Sequence, residues 1–203
     1  MLLRQLATVT QGIATSGKGA GARQGEWSLH LVESGDIAAD GVRLEGLRTI
    51  DVERNARTEK HLLRPFDILV TARSQSVKVA LVPPQVTRTV AGSTLLVVRP
   101  SLPETGVAHY LWYYLTSRQG RAAVEARVAA GATIPSLSAA ALGEVDVPLP
   151  TPKEMHLLAD FVEASEEAYA ASISVARLQR ETLRDSIIGR IAASLPQQTG
   201  GGA

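Results

Sequence analysis

Short apolar runs separated by turn residues occupy the first three quarters of the chain, and one long stretch of helical periodicity follows them. The runs are Asp67-Ile68-Leu69-Val70-Thr71, Val77-Lys78-Val79-Ala80-Leu81-Val82, Ser93-Thr94-Leu95-Leu96-Val97-Val98 and Val145-Asp146-Val147. Their brevity, β-branched content and flanking turn residues predict strands of a mixed or antiparallel sheet. Between the last two, Tyr110, Tyr113 or Tyr114 and Ser117 fall at helical spacing, and the Ala-rich Val124 to Ala130 follows. This predicts a helix over roughly 106–130, stopped by Gly131. Strands, then a helix, then a returning strand describe an α+β fold rather than alternating βαβ units.

Pro148, Pro150 and Pro152 form a spaced cluster that favours an extended connector and marks a boundary. Beyond it, Thr151 is placed to cap a helix, with Glu154 as its capping-box partner and Pro152 in the first turn. Met155, Leu158, Val162, Tyr169, Ile173, Ala176, Leu183, Ile187 and Ile191 recur at three- or four-residue spacing with charged residues between them, predicting one long amphipathic helix to Leu195. Some 40 residues at about 1.5 Å each reach roughly 60 Å, so much of the stripe needs another surface. The alternative is a break near Gly189 or earlier, folding back as a hairpin. Ser165 and Arg180 interrupt the seam, so a regular coiled coil is not required. The expected organisation is a globular mixed α/β domain over 1–150, a pairing helix over 151–195 and a disordered polar tail over 196–203.

Composition narrows the classes. With 45% hydrophobic and 20% charged residues over 203 positions, the chain has the make-up of a folded domain. It carries no apolar run long enough to span a membrane and no signal-peptide pattern at its start, so a cytoplasmic location is expected. The absence of Cys excludes disulfides and thiolate metal sites, and His30, His61, His109 and His156 are too scattered for metal ligands. Neither metal nor cofactor is expected. A net charge of +1 decides little by itself, but its distribution is uneven. Residues 1–150 carry 16 Lys and Arg against 13 Asp and Glu, and residues 151–203 carry 5 against 7. From Ile68 to Pro103 there are Arg73, Lys78, Arg88 and Arg99 and no acid, which makes that stretch the candidate phosphate-facing surface or, alternatively, a set of solvated strand-edge charges.

The segment Gly12-Ile13-Ala14-Thr15-Ser16-Gly17-Lys18-Gly19 matches a phosphate-binding P-loop at its first seven positions. Gly19 stands where that loop needs a hydroxyl for magnesium, and the residues after it start a helix poorly. A glycine-rich loop with Lys18 and Arg23 suits approach to a nucleic-acid backbone, and an ordinary surface loop equally well. No nucleophile elbow and no HExxH motif occurs, and Asp36, Asp40, Asp51 and Asp67 read as surface or turn carboxylates. No catalytic activity is expected. Trp112, Tyr113 and Tyr114 point in different directions around a helix, so core packing by two of them is favoured over a base-stacking platform.

Taken in order, these pieces resemble the specificity subunits of type I restriction-modification enzymes. Leu6-Ala7-Thr8-Val9-Thr10-Gln11-Gly12 is similar to the family's first strand and its glycine. Arg64-Pro65-Phe66-Asp67-Ile68-Leu69-Val70-Thr71-Ala72-Arg73, with Val77-Lys78-Val79-Ala80, is similar to its "GDIL" strand and following turn, with Phe66 in place of the glycine. Tyr110-Leu111-Trp112-Tyr113-Tyr114-Leu115-Thr116-Ser117 resembles "YLYYYLKS". Gly131-Ala132-Thr133-Ile134-Pro135-Ser136-Leu137-Ser138 and Val145-Asp146-Val147-Pro148-Leu149-Pro150 resemble "GSTIPHLS" and "IPLP". After the connector the family commonly has Glu-Gln, whereas here Glu154 precedes Met155.

The resemblance implies a target recognition domain that reads a DNA half-site, and a helix that spaces it from a second such domain and docks DNA methyltransferase subunits, with or without a restriction subunit. Such subunits usually carry two domains and two helices, so one of each implies a half-length form. Two copies would then pair as a homodimer through Leu158, Val162, Tyr169, Ile173, Ala176, Leu183 and Ile187 and read a palindromic site. Arg73, Gln75 and Lys78, with Lys18 and Arg23, are the expected DNA contacts, arginine and glutamine suiting base edges and lysine phosphates. The competing readings are a helical adaptor without DNA binding and, more remotely, a nucleotide-binding enzyme.

Overall fold

A computed structural model describes residues 1–14, 27–38, 41–73, 76–101, 105–129 and 135–194. In chain order its elements are α1 (Leu3–Leu6), β1 (Ala7–Gln11), β2 (Trp27–Val32), β3 (Ile37–Ala38), β4 (Gly41–Val42), β5 (Arg48–Val52), α2 (Ala56–Lys60), β6 (Ile68–Thr71), β7 (Val79–Leu81), β8 (Thr89–Ala91), β9 (Leu95–Pro100), α3 (Thr105–Thr116), α4 (Arg118–Glu125), α5 (Ala139–Gly143) and α6 (Pro152–Ser194). Two compact units result, Met1–Ala159 and Asp160–Ala203. The fold is α+β, as the sequence indicates.

In the first unit, β1, β9, β6 and β7 lie side by side in that order, all antiparallel. The two central strands are buried on both faces, which is why they appear in the sequence as unbroken apolar runs rather than alternating ones. Ile68, Val70, Leu96 and Val98 point into one core with Leu3, Leu111, Tyr114, Leu115, Val124 and Leu142. Leu69, Leu95 and Val97 point into the other with Val32, Ile37, Leu63 and Val82. Burial of each such side chain contributes about 1.5–3 kcal/mol. A second sheet, β5-β2-β8, pairs β2 with β5 antiparallel and with β8 parallel.

Two expectations need correction. The helix expected over 106–130 is two helices, broken at Ser117 and ended at Glu125. Ser117 adopts an extended conformation and its hydroxyl accepts from Gly120 N at 3.1 Å, so it caps a new helix rather than continuing the old one. A Cβ on Gly120 would sit 1.9 Å from Tyr114 O, so the two helices meet at a contact that only glycine permits. Gly131 lies outside the described residues. Val145-Asp146-Val147 is also not a strand. It makes a single bridge, Leu2 to Asp146, with Leu3 N donating to Val145 O at 2.9 Å and Val147 N to Met1 O at 2.8 Å.

The stretch from Pro152 to Ser194 is one uninterrupted helix, not a hairpin. Its start is capped as expected: Glu154 Oε2 accepts from Thr151 N at 2.8 Å and from Thr151 Oγ1 at 2.7 Å. These bonds hold the Glu154 carboxyl below its usual range. Gly189 sits within the helix with nothing near its missing Cβ, so it neither breaks nor crowds it. At about 1.5 Å per residue the helix is roughly 64 Å long.

Candidate nucleic-acid interface

The β6–β7 hairpin holds the expected DNA contacts that fall within the described residues. Thr71 ties its strands together: Thr71 N donates to Lys78 O at 3.0 Å and Lys78 N donates to Thr71 Oγ1 at 2.9 Å. Arg73 and Lys78 therefore flank the end of the hairpin on opposite sides, both exposed. Lys78 Nζ donates to Ile37 O at 3.3 Å, which holds that ammonium over β3. Arg73 enters no ion pair among the described residues. Gln75, Lys18 and Arg23 lie outside the described residues, as does the P-loop-like segment beyond Ala14.

Arg73 also meets a second signature segment. Its backbone bridges Ser136, which in turn bridges Ala129, and Leu137 N donates to Ala72 O at 2.8 Å. The Arg64–Arg73 and Pro135–Ser138 stretches are thus spatial neighbours.

The basic stretch is not uniformly a surface. Arg99, expected among the phosphate-facing cations, is committed internally. Its Nε donates to Asp67 Oδ1 at 2.8 Å, and one terminal nitrogen donates to Asp67 Oδ2 and to Leu62 O, each at 2.7 Å. Antiparallel pairing of Ile68 with Val98 brings Arg99 beside Asp67. Hydrogen bonding to that carboxylate raises the Arg99 pKa. Asp67, read in the sequence as a surface or turn carboxylate, does accept the turn bond from Arg64 N at 2.8 Å but is only 1% exposed. Just before it, Phe66 has φ of 67°, in the left-handed region where glycine is at ease, and its ring packs 5.6 Å from that of His109.

The aromatic segment of α3 serves packing. Tyr114 is 8% exposed and its hydroxyl donates to Asp146 O at 2.8 Å; one turn earlier, the Tyr110 hydroxyl donates to Pro148 O. Burial raises both phenol pKa values. These two side chains fasten the connector that leads into α6. Gly12 also has a steric reason, since a Cβ there would lie 2.2 Å from Gly92 O, where Ile13 bridges Gly92.

On α6, Leu158, Tyr169, Ala176, Leu183 and Ile187 are exposed, Ile173 is half-buried and Val162 is buried at 3%. A second exposed apolar set, Leu157, Phe161, Val175 and Leu178, was missed in the sequence. Its signal was there in the Leu157–Phe161 and Val175–Leu178 spacings, on a different side of the helix from the first stripe. No cluster of His, Asp or Glu among the described residues is arranged to hold a metal, and no described helix is long and apolar enough to cross a membrane.

No protein-family model and no curated protein matches the chain. Solved structures do match it. It superposes on the type I restriction-modification system S subunit from M. genitalium with a TM-score of 0.56 and 19% identity, over 92% of this chain and 43% of that one. It superposes on the HsdS subunit from Thermoanaerobacter tengcongensis with a TM-score of 0.52 and 17% identity, over 87% and 38%. A third match, from work on complex assembly and conformational transition of the type I R-M system, has a TM-score of 0.59 and 18% identity over 94% and 42%. The chain spans about two fifths of the length of each. At these identities the likeness establishes the fold, and the fold is the one found in type I restriction-modification S subunits.

Proposed function

We propose that this chain is the DNA sequence-specificity component of a type I restriction-modification complex, or of a related DNA methyltransferase, and that it works in the cytoplasm. Residues 1–150 serve as a target recognition domain and 151–195 as the pairing helix, with 196–203 as a tail. Chemistry on DNA belongs to partner methyltransferase subunits, with or without a restriction subunit; this chain supplies the address and is not itself an enzyme. The observation that carries the reading is the S-subunit fold over nearly the whole chain, with an exposed Arg73 at the end of a braced hairpin. Arg73 reads a base edge, Lys78 holds a phosphate, and Gln75, Lys18 and Arg23 complete the contact.

Pairing is with a second copy, antiparallel, through Leu158, Val162, Tyr169, Ile173, Ala176, Leu183 and Ile187. The charge pattern of the helix supports that direction. From Pro152 to Ala176 its charges are Lys153 against Glu154, Asp160, Glu163, Glu166 and Glu167; from Arg177 to Ser194 they are Arg177, Arg180, Arg184 and Arg190 against Glu181 and Asp185. An antiparallel pair sets the acidic half of each copy against the basic half of the other, whereas a parallel pair sets like against like.

The test is base discrimination. Arg73→Ala should relax the preference at one position of the bound site and leave the others unchanged. A uniform loss across all sequences makes Arg73 a phosphate contact, and no sequence preference in the unsubstituted protein removes the reading.

A further inference from the structure

The hairpin alone is a small platform for a duplex, and an unassigned basic segment, Arg118–Ala129, joins it at its C-terminal end through Ser136. α4 is pressed against α3 through Gly120, and Gly120 and Val124 form its buried side. That packing fixes the rotation of the helix, so Arg118, Arg121 and Glu125 face solvent, and Arg127 is exposed just past the helix end. Arg118 and Arg121 stand one turn apart, and neither they nor Arg127 enter an ion pair among the described residues. Two residues beyond Arg127, Ala129 N donates to Ser136 O at 2.9 Å, and Ser136 bridges Arg73. At about 4.8 Å between neighbouring strands, the Ala129 backbone is roughly 10 Å from that of Arg73.

We infer that Arg118, Arg121 and Arg127 form a phosphate-gripping surface continuous with Arg73, which holds the sugar–phosphate backbone of the duplex whose bases the hairpin reads. The inference rests on the DNA-binding reading above. Exposed arginines are ordinary on any protein surface. What distinguishes these is their concentration, three with Glu125 as the one acid from Arg118 to Ala129, and the tie between the end of their segment, at Ala129, and the hairpin through Ser136. Guanidinium groups on a braced helix, outside the hairpin that meets the bases, suit backbone positioning, which sets affinity and register without carrying sequence information.

The experiment is a salt titration of the full chain on its preferred duplex and on a scrambled one. Replacing Arg118, Arg121 and Arg127 together by Gln should weaken binding to both duplexes by the same factor. It should also flatten the plot of log affinity against log salt by about 0.9 for each phosphate that is no longer neutralised, roughly 2–3 for all three. Glu125→Gln, which removes the acid from the same face, should act in the opposite direction and tighten binding to both. An unchanged slope in the triple variant, or an altered sequence preference, overturns the assignment while the DNA-binding reading stands. If the unsubstituted chain shows no salt-dependent DNA binding, both fall.

Discussion

The pair formed by Asp67 and Arg99 at the root of the hairpin gives an asymmetric stability prediction. Arg99→Ala strips the charged partner from an Asp67 carboxylate that is 1% exposed in the unsubstituted chain and leaves Arg64 N as its remaining donor. A buried charge stripped of its partner costs about 3–5 kcal/mol. Asp67→Ala is milder because Arg99 keeps Leu62 O at 2.7 Å and its side chain is 25% exposed, so water can replace part of the missing hydrogen bonding. Loss of a hydrogen-bonded charged partner of that kind costs about 1.5–3 kcal/mol. Removing both takes away the buried charge together with the group that compensated it, so the double variant should be more stable than the two single losses added together, with a coupling of about 2 kcal/mol. Urea denaturation followed by circular dichroism on all four proteins measures this directly. Losses that add to within about 0.5 kcal/mol, or a larger loss for Asp67→Ala than for Arg99→Ala, would mean that Arg99 does not compensate a buried Asp67 charge.

Three further outcomes are expected. Phe66→Gly and Phe66→Ala both remove the ring, but only glycine relaxes a φ of 67°, so the glycine variant should be the more stable by about 1 kcal/mol in the same denaturation assay; equal stabilities would mean that the left-handed backbone is not strained. Gly12→Ala drives a methyl to within 2.2 Å of Gly92 O and 2.4 Å of Ala91 O and should cost about 2–4 kcal/mol, seen as a lowered melting temperature. Burial raises the folded-state pKa of Tyr110 and Tyr114 above the unfolded value, so their contribution is complete below an ordinary tyrosine pKa of about 10 and is lost as pH rises through the raised value. Stability measured across that alkaline range should fall less steeply in Tyr114→Phe than in the unsubstituted chain.

What the sequence reveals follows from how each element is buried. β6 and β9 are covered on both faces and β7 pairs with β6, so their apolar runs are evident without knowledge of the fold. β2, β5 and β8 are not: β5 is an edge strand with mostly exposed side chains, and β8 is three residues long and pairs in parallel with β2, far away in sequence. The break between α3 and α4 turns on Gly120 meeting Tyr114, a tertiary contact that helical periodicity cannot report. The capping box at Thr151 and Glu154 is local and therefore legible. The site divides in the same way. Exposure of Arg73 and Lys78 agrees with a surface role, whereas the capture of Arg99 by Asp67 depends on strand register, and net charge along the chain gives no warning of it. Phe66 illustrates the converse case: its φ of 67° lies where glycine is at ease, and nothing in the residue itself reveals that backbone requirement.

A chain proposed to read DNA sequence as one half of a symmetric pair should show both the pairing and the reading in solution. The test combines the mass of the protein in solution with its selection from a randomised duplex library, with and without a candidate methyltransferase, at two salt concentrations. The expected result is a dimer that enriches a split palindrome and binds less tightly at the higher salt. A monomer that enriches no sequence even with the methyltransferase present would contradict it and leave α6 as the helix of an adaptor.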